Sequence, residues 1–66
     1  MKVKLKAINV DKQIVFNKIS EIINEEPVII QDTFIFEIKD LTQWHLLKNM
    51  IDVFATFDEI LIIVPE

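Results

Sequence analysis

His45 is the only histidine in the chain and the first residue to test for a role in catalysis. On a helical projection it falls among polar side chains, with Lys48 three positions later and Asn49, not an acid, at the fourth. A triad, a dyad or a zinc site needs partners that the local sequence does not supply. We therefore expect His45 to be a solvated surface residue.

The paired acids Glu25-Glu26 and Asp58-Glu59 are the next candidates, for a divalent cation or for acid and base chemistry. Hard cations require several oxygens that converge from a shaped loop, and neither pair has the spacing of a calcium loop. Trp44 is expected in the core, because no basic residues alternate with it as in a stacking platform for bases. The sequence predicts no catalytic residues, no metal and no cofactor.

Missing residue types exclude further classes of function. The chain has no glycine, which phosphate-binding loops require, and no cysteine for disulfides, thiolate metal sites or nucleophiles. It also has no arginine, and its seven lysines are outnumbered by eleven acids, which gives a net charge of −4. Nucleic acid is therefore not expected as a partner, and a small molecule is not favoured. The lysines at Lys2, Lys4 and Lys6 are expected to keep a strand face soluble.

The 66 residues can form one domain, 1–66, and a hydrophobic content of 52% is enough for a dense core. No window has the length of a membrane span, and the alternating start Lys-Val-Lys-Leu-Lys does not have the pattern of a signal peptide. We therefore expect a cytoplasmic protein without a membrane partner.

Hydrophobic periodicity predicts the elements of the first half. A strand covers Lys2 to Ile8, because apolar residues alternate there with lysines. A helix starts at Lys12, with Asp11 as N-cap and a hydrophobic staple between Val10 and Val15. Its end is predicted at Glu25-Glu26-Pro27, since proline cannot continue a helix.

The second half begins with two β-rich runs separated by Gln31-Asp32-Thr33, which predict a hairpin, with one long bent strand as the alternative. Asp40 and Gln43 form a capping box for a second helix that runs to about Thr56. After a turn at 57–59, an apolar strand at 60–64 closes the chain and Pro65 stops it.

The resulting order, βαββαβ, is that of the ferredoxin-like split βαβ arrangement in the α+β class. Right-handed crossovers give a four-stranded antiparallel sheet with both helices on one face and the other face open. Phe34, Phe36 and Ile38 are then expected to face the helices. On the open face, Lys4 or Lys6 is expected opposite Glu37.

The second helix has more apolar surface than one buried stripe requires. Leu41, Trp44, Leu47, Ile51, Phe54 and Ala55 form one stripe, and a second lies beside it. The second stripe either packs on the first helix or forms an interface, and the closing strand also leaves one apolar side uncovered. The predicted interface residues are Leu46, Met50, Val53, Phe57, Ile60, Ile62 and Val64.

These features predict a small non-enzymatic interaction protein, such as an adaptor, subunit or inhibitor, including one encoded by a mobile element. Its expected partners are a second copy of the chain, a larger protein, or both. The alternative is a regulatory module of the ACT type that binds an amino acid at a dimer interface; the lack of glycine at the first strand-to-helix turn counts against it. An acylphosphatase-like hydrolase would need an arginine in its anion-binding loop.

Overall fold

The chain folds into an α+β structure with two helices and an antiparallel sheet, which confirms the predicted class. The computed structural model describes residues 1–56 and 60–64, and for Thr56, Ile60, Leu61, Ile62 and Val64 it describes the backbone alone. In chain order, the elements are β1 (Lys2–Ile8), α1 (Lys12–Ile23), β2 (Val28–Ile30), β3 (Thr33–Glu37), α2 (Leu41–Thr56) and β4 (Ile60–Val64).

The strands pair in the order β2-β3-β1-β4, and each neighbouring pair is antiparallel. β2 and β3 form the predicted hairpin, since Ile30 lies opposite Thr33 across a turn of Gln31 and Asp32. The single bent strand is thereby excluded. Gln31 adopts a positive φ of 57°, a conformation that tight hairpin turns use and that glycine usually supplies. The Asp32 carbonyl accepts a hydrogen bond of 2.8 Å from the Ala7 N–H, which ties the turn to β1.

The start of α1 is as predicted, whereas its end is not. The Asp11 carboxylate accepts a hydrogen bond of 2.9 Å from the Gln13 N–H, and Val10 packs on the core. The helix ends at Ile23, before the predicted stop at Glu25-Glu26-Pro27. Asn24 ends it by taking the left-handed conformation, φ 58° and ψ 27°, while its N–H donates to the Ser20 carbonyl. Asparagine tolerates this conformation better than most residues, so it serves as the C-terminal cap here.

Asp40 caps α2 as predicted, through a 2.9 Å hydrogen bond from the Gln43 N–H to its carboxylate. The Gln43 side chain accepts a hydrogen bond of 2.7 Å from the N–H of Lys39, one residue earlier than a standard capping box would place it. The helix continues to Thr56, as expected. The predicted turn at 57–59 and the stop at Pro65 lie outside the described residues.

Both helices cover the same face of β1 and β3. The predicted inward residues Phe34, Phe36 and Ile38 are all buried. The rest of the described core comes from the alternate residues of β1 and from both helices: Val3, Leu5, Ala7, Val15, Ile19, Ile23, Leu47, Met50 and Phe54.

The predicted partner of Glu37 is wrong. Lys6 lies opposite Thr33 and Lys4 opposite Ile35, so Glu37 lies opposite Lys2. The bond between Ala7 and Asp32 fixes this register. The Glu37 carboxylate also lies 3.0 Å from the amino group of Met1.

Candidate interaction surfaces

The second stripe of α2 divides between core and surface. Met50 was predicted at an interface, but it is 7% exposed and belongs to the core. Leu46 and Val53 are 47% and 58% exposed, so they are the two predicted interface residues of α2 that offer surface. α1 packs against α2, and this contact covers only part of the stripe, since Met50 is buried while Leu46 and Val53 are exposed.

A groove of about 420 Å³ lies between α1 and α2 on the side away from the sheet. Leu46 and Val53 line it from α2, and the exposed Ile14 lines it from α1. Its lining also includes the buried Met50 and Phe54, the half-buried Ile22, and the polar residues Lys18, Glu21 and Asn49. An apolar centre with a polar rim is the usual arrangement of a protein-binding surface.

Four predicted interface residues lie wholly or partly outside the described structure. Phe57 is outside it, and Ile60, Ile62 and Val64 are described by backbone alone, opposite Ile8, Lys6 and Lys4. Their role in an interface stays a prediction. Ile63, whose side chain is described, packs on the core and lies opposite Leu5.

The first stripe of α2 is less completely buried than its pattern predicts. Leu41 is 74% exposed and Ala55 is also exposed. Leu41 is the first residue of the helix, and helical side chains lean toward the N-terminus, so its side chain extends past the helix end. It lines a hollow of about 440 Å³ with Met1, Ile38 and Trp44. Trp44 is half-buried against the core, and the Lys48 ammonium lies 5.8 Å from its ring centre.

Of the side chains considered for chemistry, Asp58 and Glu59 lie outside the described residues, and the others are spread over the surface. His45 is exposed, as expected, and Glu25 forms an ion pair of 2.8 Å with Lys39. This hydrogen bond and the negative charge of Glu25 raise the pKa of Lys39 above its usual 10.5. Within residues 1–56 and 60–64, no three His, Asp or Glu side chains are grouped in a way that could hold a metal ion. In the same ranges, neither helix is long and apolar enough to cross a membrane.

The exposed hairpin strand β2 was missed by the sequence interpretation. Val28, Ile29 and Ile30 are each 43–59% exposed, and β2 lies at one end of the strand order. Right-handed crossovers place this strand at a sheet edge, but none of its three apolar residues was predicted as a surface residue. Edge position was the available signal, because an edge strand has a neighbour on one side only.

The described residues therefore define a small α+β protein whose main surface features are apolar: the groove between the helices and the residues of β2. No protein-family model, no curated protein and no solved structure matches the chain.

Proposed function

We propose that this protein is a non-enzymatic interaction module that pairs with a second copy of itself through the groove between α1 and α2. The observation that carries the proposal is the exposure of Leu46, Val53 and Ile14 around this one groove. Monomeric proteins rarely leave contiguous apolar patches larger than a few hundred Å² uncovered. An adaptor, subunit or inhibitor of a larger protein is the role that such a dimer fits.

The groove is suited to a two-fold partner because its polar lining carries both signs of charge. Lys18 and Glu21 both line it, and in a two-fold interface each residue can meet its opposite on the partner. A standard interface covers about 800 Å² on each partner. That is about a fifth of the accessible surface of 4426 Å².

Sedimentation of two matched variants tests this function. Val53→Glu places a charge in the groove, and Val28→Glu makes the same change on β2 at nearly equal exposure, 59% against 58%. The unmodified chain is expected to dimerise as its concentration rises, Val53→Glu to stay monomeric, and Val28→Glu to dimerise normally. A chain that stays monomeric at millimolar concentration would contradict self-association. If Val28→Glu alone dissociates the dimer, the interface lies on the sheet and not in the groove.

We also propose that the fold is the ferredoxin-like split βαβ arrangement. The order of the elements and the strand order β2-β3-β1-β4 support it, as does the burial of both helices on one sheet face. An experimental structure with β4 paired elsewhere than on β1 would contradict it.

An ACT-type regulatory module is the second candidate, and Asn9 is the observation in its favour. Asn9 lies in the turn between β1 and α1 with a φ of 58°, a conformation that glycine commonly supplies. The turn can therefore form without glycine, although the Cβ of asparagine still limits how closely a ligand approaches. A thermal-shift screen of the twenty amino acids tests it, since a ligand at a hundred times its dissociation constant adds about 2.7 kcal/mol to stability. If no amino acid shifts the unfolding temperature, this candidate is excluded.

A further inference from the structure

The sheet face opposite the helices combines lysines with exposed aliphatic residues. Lys4 and Lys6 belong to the alternate positions of β1 that turn away from the buried Val3, Leu5 and Ala7. In register, Lys4 lies opposite Ile35, which in turn lies opposite Val28 on β2. Lys6 lies opposite Thr33, which lies opposite Ile30. The lysines of β1 therefore run beside Thr33, Ile35 and Glu37 of β3, with Val28 and Ile30 of β2 beyond them, and Glu37 lies at the Lys2 end of the row.

A shallow hollow of about 430 Å³ joins the lysines to the aliphatic residues near the β2–β3 turn. Its lining consists of Lys4, Lys6, Ile30, Gln31, Thr33 and Ile35. No acid lies directly opposite Lys4 or Lys6 on β3, and the backbone positions opposite them on β4 belong to Val64 and Ile62. Among the described residues, the register thus gives neither lysine a carboxylate directly across the strands, although the chain as a whole is acidic.

We propose that this face binds an extended acidic segment of a partner protein in which carboxylate and aliphatic residues alternate. Lys4 and Lys6 are two residues apart on one strand, so their Cα atoms are about 6.6–6.8 Å apart, which matches acids at alternate positions of an extended segment. An aliphatic side chain of the segment fits between Ile30 and Ile35. This names the chemistry of a hetero-partner for the proposed interaction module, on a surface separate from the groove.

A second copy of the chain is a poor occupant of this face. A two-fold pairing centred on Lys4 and Lys6 would bring these lysines of both copies together, and like charges brought together oppose association. Docking this face on a different surface of another copy is a heterologous contact, which gives a ring or an open-ended filament and not a two-fold dimer. Charge complementarity therefore favours an acidic segment from another protein.

The test uses a fluorescein-labelled nine-residue peptide of alternating glutamate and valine, and matched peptides with glutamine for glutamate or serine for valine. Fluorescence anisotropy is expected to show saturable binding of the first peptide alone. Amide chemical shifts of the ¹⁵N-labelled protein are expected to move in β1, β2 and β3. Because the peptide changes leave the protein untouched, this arm does not depend on any variant folding.

The double variant Lys4→Gln/Lys6→Gln is expected to weaken binding about tenfold, the size that two exposed ion pairs can supply. Lys39→Gln/Lys48→Gln, with the same loss of charge outside this hollow, should change it less than twofold. The proposal would be overturned if both variants lost peptide affinity equally or if the serine peptide bound as well as the first peptide. Amide chemical-shift changes confined to α1 and α2 would also overturn it. Binding to phosphatidylserine vesicles without binding to the peptide would also overturn it. The groove variant Val53→Glu should bind the peptide normally, which separates this result from self-association.

Discussion

Within residues 1–56 and 60–64, three residues with positive φ occupy places that glycine commonly holds. Asn9, Asn24 and Gln31 have φ values of 57–58° and lie at the β1–α1 turn, the end of α1 and the β2–β3 turn. Asparagine is among the residues that accept this region, whereas glutamine is not. Gln31 is therefore the position where the backbone conformation costs most.

Replacing Gln31 with glycine should stabilise the protein. The left-handed region costs a residue with a Cβ about 1–2 kcal/mol, while glycine adds about 0.5–1 kcal/mol of unfolded-state entropy. We expect a net gain of about 0.5–1 kcal/mol in the free energy of unfolding, measured by urea denaturation. Gln31→Ala, which keeps the Cβ, is the control and should gain nothing. Equal effects of the two substitutions would show that the turn is not strained.

At the scale of single residues, the N-terminal caps of the helices were predictable from sequence, and the left-handed positions were not. Asp11 and Asp40 precede apolar periodic runs, which identifies an N-cap. Asn24 carries no comparable signal, so Pro27 was taken as the helix end. The missing glycines removed the usual marker of such positions.

Among the elements, α2 shows most clearly how far a pattern predicts burial. Its length and start were predicted, and so was a wide apolar arc. Which part of the arc is buried depends on where α1 lies, and the sequence of α2 alone does not determine the position of α1. Leu46 and Leu47 are neighbours in that arc, yet Leu47 is fully buried and Leu46 is about half exposed.

Alanine substitution at these two leucines should separate core from surface. Leu47→Ala leaves a cavity in the core and should cost about 2–5 kcal/mol of the free energy of unfolding. Leu46→Ala removes a half-exposed side chain and should cost the isolated chain less than about 1 kcal/mol. Urea denaturation at low protein concentration measures both. Equal losses would mean that Leu46 is part of the core, and would remove it from the groove surface.

Strand register was the other feature of the elements that sequence left open. Two-residue alternation correctly predicted which residues of β1 and β3 turn inward, because one-sided burial fixes the face. It did not predict that Glu37 lies opposite Lys2, since sliding a strand by two or four residues preserves every face. The hydrogen bond between the turn and Ala7 sets that choice, and the sequence pattern does not contain it.

At the scale of the whole molecule, an ion pair links the two βα halves. Glu25 follows α1 in the first half and Lys39 precedes α2 in the second, with the Lys39 ammonium 2.8 Å from the Glu25 carboxylate. The raised pKa of Lys39 means that the charged form is favoured by folding. Its contribution is therefore present in full below pH 10.5 and is lost as the pH rises through the raised value.

Glu25→Gln should lower the pKa of Lys39 toward 10.5, because the hydrogen bond and the charge of Glu25 are its two largest causes. An NMR titration that follows the side-chain carbon chemical shift of Lys39 measures this pKa directly. Glu26→Gln removes the same charge from the next residue and should leave this titration unchanged. If both variants lower the pKa equally, net charge and not the ion pair determines it.

β2 has only three residues, which limits strand pairing at this exposed sheet edge. Three exposed branched aliphatic side chains at a sheet edge ordinarily favour edge-to-edge pairing with strands of other chains. Here Pro27, which has no N–H to donate, precedes the strand, and the turn at Gln31 follows its third residue. An incoming strand therefore finds few backbone groups to pair with, which limits the addition of further strands at this edge.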